Sequence, residues 1–105
     1  SFLPENQVSS YAKTWLGFSV SEINKSLARR FRLKTNQGVA VVSVRANSVS
    51  GDIGMQPGDV VRQINQTAIK NEKNFKTAIV EAAGRESVLL LIQRGQNGYY
   101  VTLEP

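Results

Sequence analysis

The chain has no cysteine and no histidine among its 105 residues. The first absence excludes disulfides and a thiol nucleophile, and leaves the redox compartment open. The second removes a Ser-His-Asp triad, a histidine general base and the commonest zinc ligand. No apolar run approaches the roughly 20 residues of a membrane-spanning helix, and none of the 105 residues reads as a signal-peptide core. Tryptophan and methionine occur once each, and prolines number 3. The carboxylates Glu5, Glu22, Asp52, Asp59, Glu72, Glu81, Glu86 and Glu104 lie apart along the chain, and nothing in their order points to a glycosidase-like pair. No catalytic constellation and no cofactor or metal site is expected, and the chain reads as a binding module.

What is present fits one domain with one core. Hydrophobic residues make up 41% and charged residues 20%, which argues against disorder over most of the length. Ser1 is not preceded by Met, so a fragment or a processed product is expected. The net charge is +5. Five cations, Lys25, Arg29, Arg30, Arg32 and Lys34, fall within ten positions. Their spacing suits a solvated helix face, and no aromatic stacking platform accompanies them. A nucleic-acid partner is not expected, nor is contact with a membrane surface.

The informative stretch is Thr14-Trp15-Leu16-Gly17-Phe18-Ser19-Val20. Leu16, Phe18 and Val20 alternate with Gly17 and Ser19, the period of a strand with one apolar face. Gly17 permits a positive φ where this strand begins, so neighbouring amides could face an anion. Residues 1–13 show no sustained period and are expected to be a linker, a frayed terminus or an N-terminal extension. Ser21 is the expected cap of an amphipathic helix carrying Ile23, Leu27 and Phe31. Val39–Val44 reads as a central strand, and Asn47 or Ser48 as the start of a short helix or turn.

Pro57-Gly58-Asp59 reads as a turn in which the Asp59 carboxylate accepts local N–H groups. Strands are expected at Val60–Ile64 and Thr67–Ile69. Asn71 is the expected cap of a helix from about Glu72 to Ala83, with Gly84 beyond its end. Phe75, Ala78 and Ala82 form its core stripe, and Glu72, Lys76 and Ile79 a neighbouring stripe suited to the shoulder of a groove. Ser87–Gln93 and Tyr99–Leu103 close the chain as a hairpin. The expected fold is α+β and mainly β: five or six short strands in a partly open antiparallel barrel or sandwich, capped by two helices.

Trp15-Leu16-Gly17-Phe18 resembles the carboxylate-binding loop of PDZ domains, X-Φ-G-Φ with Φ hydrophobic. Gly54-Met55-Gln56-Pro57-Gly58-Asp59-Val60-Val61-Arg62-Gln63-Ile64-Asn65 is similar to the family segment G-L-x-x-G-D-x-I-x-x-I-N. These motifs, with the Leu91-Ile92-Gln93-Arg94-Gly95 hairpin and a chain that ends soon after its last strand, resemble PDZ domains of bacterial HtrA/DegP-type serine proteases, most of all the second, C-terminal one. The resemblance covers roughly residues 14–104, so a PDZ domain is expected over 14–105.

It implies a periplasmic, non-catalytic module of a serine protease concerned with protein quality control, with C-terminal or extended segments of unfolded proteins as partners. By this resemblance the amides of Leu16, Gly17 and Phe18 would take a terminal carboxylate, and the ligand would pair with Phe18–Val20, including Ser19. Its last side chain would enter a pocket of Leu16, Phe18, Val20 and Ile79. Glu72 stands where many eukaryotic relatives carry a ligand-selecting histidine, and Lys76 lies one turn on. Trp15 is bulkier than the loop needs and could cover part of the groove. The resemblance also implies a structural alternative, in which the domain contacts neighbouring protease and PDZ domains of the same protein in an assembled oligomer.

Overall fold

The computed structural model describes residues 3–105. Its centre is an antiparallel six-stranded sheet in the order β1-β2-β3-β5-β6, with β4 paired to β3 beside this path. The strands are β1 (Phe18–Glu22), β2 (Val39–Val44), β3 (Val60–Ile64), β4 (Thr67–Ala68), β5 (Val88–Arg94) and β6 (Asn97–Leu103). The sheet does not close, so β1 and β6 are its edges. Val39, Ala40, Val41, Val60 and Val61 are buried, which is why Val39–Val42 reads as a continuous apolar run.

Among the described residues four α-helices accompany the sheet, the first preceded by a 3-10 turn at Glu5–Gln7: α1 (Val8–Trp15), α2 (Lys25–Phe31), α3 (Val49–Asp52) and α4 (Glu72–Ala82). Caps explain three of the starts. The side-chain oxygens of Asn24, Ser48 and Asn71 accept the N–H groups of Leu27, Gly51 and Asn74 respectively. The cap of α2 is therefore Asn24 and not Ser21, which together with Glu22 belongs to β1. α2 buries no residue completely, and Ile23 precedes it rather than contributing to its apolar stripe. Phe31 closes over the Pro57-Gly58 turn, 3.3 Å from where a Cβ on Gly58 would stand.

The largest departure from the sequence reading is at the start. Residues 8–15 are neither linker nor frayed terminus; they form α1, with Val8 and Ala12 each 1% exposed in the main core cluster. Tyr11 and Trp15 pack on the same cluster, their rings 5.3 Å apart. Trp15 is thus the last residue of α1, and the strand expected to begin at Gly17 starts at Phe18.

Asp59 acts locally, as its turn suggested, and also at longer range. Its buried carboxylate accepts the Gln56 N–H at 3.0 Å and two N–H groups of Arg94 at 2.7 and 2.9 Å. This ties the Pro57-Gly58 turn to the end of β5. The Asp59 hydrogen bonds hold the Arg94 guanidinium above its usual pKa, against the opposing effect of partial burial.

Candidate functional site

The loop before β1 is shaped by Gly17, whose φ is 96°. A Cβ there would lie 2.2 Å from both Cβ and Oγ of Ser48, so only glycine lets α3 approach the loop. α3 then grips the loop through Ser50: its Oγ donates to the Leu16 carbonyl at 2.6 Å, and its N–H to the same oxygen at 3.2 Å. Arg45 holds the other side. Its N–H donates to the Gly17 carbonyl at 2.7 Å, and its guanidinium to the Thr14 carbonyl at 3.0 Å. Arg45 and Ser50 were not singled out from sequence, and Ser48 only as a possible helix start. The contacts of Arg45 and Ser50 span about thirty positions.

With the loop's carbonyls fixed inward, the orientation of β1 follows from its pairing. Phe18 faces Val44 while the Arg45 N–H meets the Gly17 carbonyl, so Phe18 is a non-hydrogen-bonded pair member and its own N–H and C=O point to the free edge. Past the bulge at Ser19/Val20, Val20 faces Val41. Val41 spends its N–H and C=O on Asp59 and Gly58, so Val20 also presents its main chain outward. Among the described residues no protein group hydrogen-bonds to either residue on that side. Ser19 turns its hydroxyl to Ser43 on β2.

α4 forms the opposite wall, and its start is tied to the end of β1, since the Glu72 N–H donates to Glu22 Oε1 at 2.7 Å. Lys76 lies half-buried one turn on, facing Leu3, Glu5 and Val8 of the N-terminal segment. Ile79 is as buried as Phe75 and joins the core rather than standing on a shoulder. Phe18 meets Phe75 edge-on at 6.1 Å between ring centroids. Leu16, Phe18 and Ile79 each have no exposed surface, and Val20 is half-buried. The Leu16 and Gly17 N–H groups both donate to the Ala12 carbonyl, at 2.8 and 3.3 Å. Of the three amides singled out, that of Phe18 alone faces an open edge.

An edge strand entered through an X-Φ-G-Φ loop, with a capped helix opposite, is PDZ geometry, and a family model for PDZ domains matches residues 14–104. The chain belongs to the PDZ family. Like the domains it resembles, this PDZ domain is a non-catalytic module of the kind carried by HtrA-type serine proteases.

The chain is 36% identical over 73 residues to a probable periplasmic serine endoprotease, DegP-like, of Hahella chejuensis, covering 70% of this chain and 15% of that protein. A DegP-like protein of Pseudomonas fluorescens is 29% identical over 104 residues, 99% of this chain and 21% of that one. The mitochondrial serine protease HTRA2 of Drosophila persimilis is 33% identical over 81 residues, 77% of this chain and 18% of that one. The chain therefore spans about a fifth or less of these relatives. Among solved structures, the HtrA3 PDZ domain bound to the phage-derived ligand FGRWV superimposes with a TM-score of 0.68 at 23% identity, over 86% of this chain and 82% of that one. The HtrA-type protease AlgW with a decapeptide gives 0.72 at 22% identity, over 86% and 28%. At these identities the likeness establishes the fold.

The basic cluster lies away from this groove in sequence, on α2 and the residues just after it. Lys25, Arg29, Arg30, Arg32 and Lys34 are all exposed, and Arg30 stacks on Phe31 at 5.2 Å. Among the described residues none of the five forms an ion pair.

Proposed function

We propose that this PDZ domain captures apolar, free C-termini of substrate polypeptides by adding them as a strand to β1. The observation that carries the reading is the outward main chain of Phe18 and Val20, unpaired on an edge strand that starts at the glycine loop. An extended peptide satisfies those groups and removes a bare sheet edge. Its carboxylate meets the Phe18 N–H first, and Gly17 and Leu16 contribute as their bonds to Ala12 loosen. Its last side chain enters between Phe18, Val20 and Ile79. Main-chain hydrogen bonds at about 1 kcal/mol net each, with about 1.5–3 kcal/mol for one buried Leu or Phe, less ordering costs, give micromolar affinity.

In this reading the parent is an HtrA/DegP-like serine endopeptidase, periplasmic as the DegP relatives are named, and this domain, the second PDZ of the parent, delivers substrate and regulates the protease. The test is an amide-shift titration of the 105-residue chain with FGRWV, the ligand of the HtrA3 domain. Shifts confined to residues 16–22 and to α4 are expected. Shifts confined to α2, or none at millimolar peptide, would refute capture at this edge.

A further inference from the structure

The walls expected to receive a ligand's last side chain are already covered. Leu16, Phe18 and Ile79 are fully buried by the protein's own atoms. The sheet supplies much of their cluster, through residues such as Val41, Val61 and Leu90, and α1 adds Val8 and Ala12 at 1% exposure, with Tyr11 and Trp15 partly buried beside them. α1 contacts both β1 and α4, the two elements between which a peptide would lie. Leu3 and Glu5 ahead of α1, with its first residue Val8, line one cavity together with Lys73, Lys76, Thr77 and Val80 of α4.

A second observation comes from the main chain. The Ala12 carbonyl accepts the N–H groups of Leu16 and Gly17, two of the three donors a terminal carboxylate would use. An arriving C-terminus and the last turn of α1 therefore compete for the same donors as well as for the same apolar surface.

We propose that α1 is the resident occupant of the peptide groove, a plug that an incoming C-terminus must displace. This rests on the peptide-capture reading of β1. An eight-residue helix is below the length at which helices persist alone in water, so α1 is helical because Val8 and Ala12 are seated. Once unseated, it melts. The measured affinity for a peptide is the intrinsic affinity reduced by the fraction of molecules with α1 displaced. Any partner that binds the unwound segment raises peptide affinity, and peptide in turn raises affinity for that partner.

The test uses the whole 105-residue chain, FGRWV with a free carboxylate as probe, and nuclear magnetic resonance to report both binding and helicity. Val8→Asn removes the apolar anchor of α1. The double variant Ser10→Gly, Thr14→Gly weakens the helix from its exposed side without touching the core, and so serves even if Val8→Asn fails to fold. The expected result is tenfold or tighter binding by Val8→Asn and several-fold tighter binding by the double variant, with residues 8–15 of the saturated wild type losing their helical 13Cα shifts. Wild type that binds FGRWV with α1 still helical, at an affinity the variants share, overturns the plug and leaves peptide capture standing. Failure of every form to bind, including those with α1 melted, removes peptide capture and the plug with it.

Discussion

Gly17 and Ser48 lie so close that a Cβ on residue 17 would stand 2.2 Å from the Ser48 side chain, and Gly17 also holds a φ of 96°. Gly17→Ala therefore meets both backbone strain and a clash with α3, and is expected to cost about 3 kcal/mol or more. Adding Ser48→Gly relieves the clash but not the φ, so the double variant should recover only part of the loss. Urea denaturation of the three proteins measures this.

Arg94 and Asp59 give a second prediction. The Asp59 side chain is 0% exposed and the Arg94 side chain 41%, so Arg94→Met leaves a buried carboxylate facing one N–H donor and no cation. Breaking a fully buried pair costs about 3–5 kcal/mol, and the solvent around Arg94 reduces this to about 2 kcal/mol. The loss should appear in chemical denaturation, with the Pro57-Gly58 turn the first region to lose protection from hydrogen exchange.

The third concerns the start of α4. Asn71 accepts the Asn74 N–H at 2.9 Å, and Asn74 reaches back to accept the Lys70 N–H at 3.0 Å. Asn71→Ala should cost about 1 kcal/mol. Because Glu22 also holds the first turn of α4, Asn71→Ala with Glu22→Ala should cost more than either change alone, since both leave N–H groups of one helix end unpaired.

Alkaline pH gives the fourth. Burial, and then the Asp59 charge, raise the Tyr99 phenol above its ordinary value of 10.0, opposed by Arg94, whose guanidinium lies 5.4 Å from the ring. In this window the folded state keeps a proton that the unfolded chain releases, so stability falls as pH rises through it. Below a pH of about 9 the group adds no slope. Tyr99→Phe should remove part of the alkaline loss seen in thermal melts.

Much of this was legible in the residue order. Val39–Val44 read as a central strand because it is apolar on both faces, and Asn71, with Asn47 or Ser48, read as caps because the first turn of a helix leaves N–H groups free. β6 starts two residues earlier than its aromatics suggested, since Asn97 and Gly98 pair with Arg94 and Gln93 around a tight turn. α1 was missed although Val8, Tyr11, Ala12 and Trp15 fall at i, i+3, i+4 and i+7. Only eight residues long and broken by Ser9, Ser10 and Thr14, it carries a weak local signal, and its helicity comes from packing on residues distant in sequence. Ser21-Glu22 imitated a helix start, whereas the edge of the sheet claims both residues. The loop motif was legible, but what holds it was not. Ser50 and Arg45 matter through contacts with the Leu16, Gly17 and Thr14 carbonyls that no local pattern announces. Nor did the pattern show that Ile79 would be fully covered.

The most direct test of peptide capture is calorimetric titration of the chain with FGRWV as the free acid and as the C-terminal amide. Hydrogen bonds to a charged carboxylate contribute about 1.5–3 kcal/mol, so the free acid should bind about tenfold tighter or more. Equal affinity for the two forms would contradict carboxylate capture at the Leu16-Gly17-Phe18 loop.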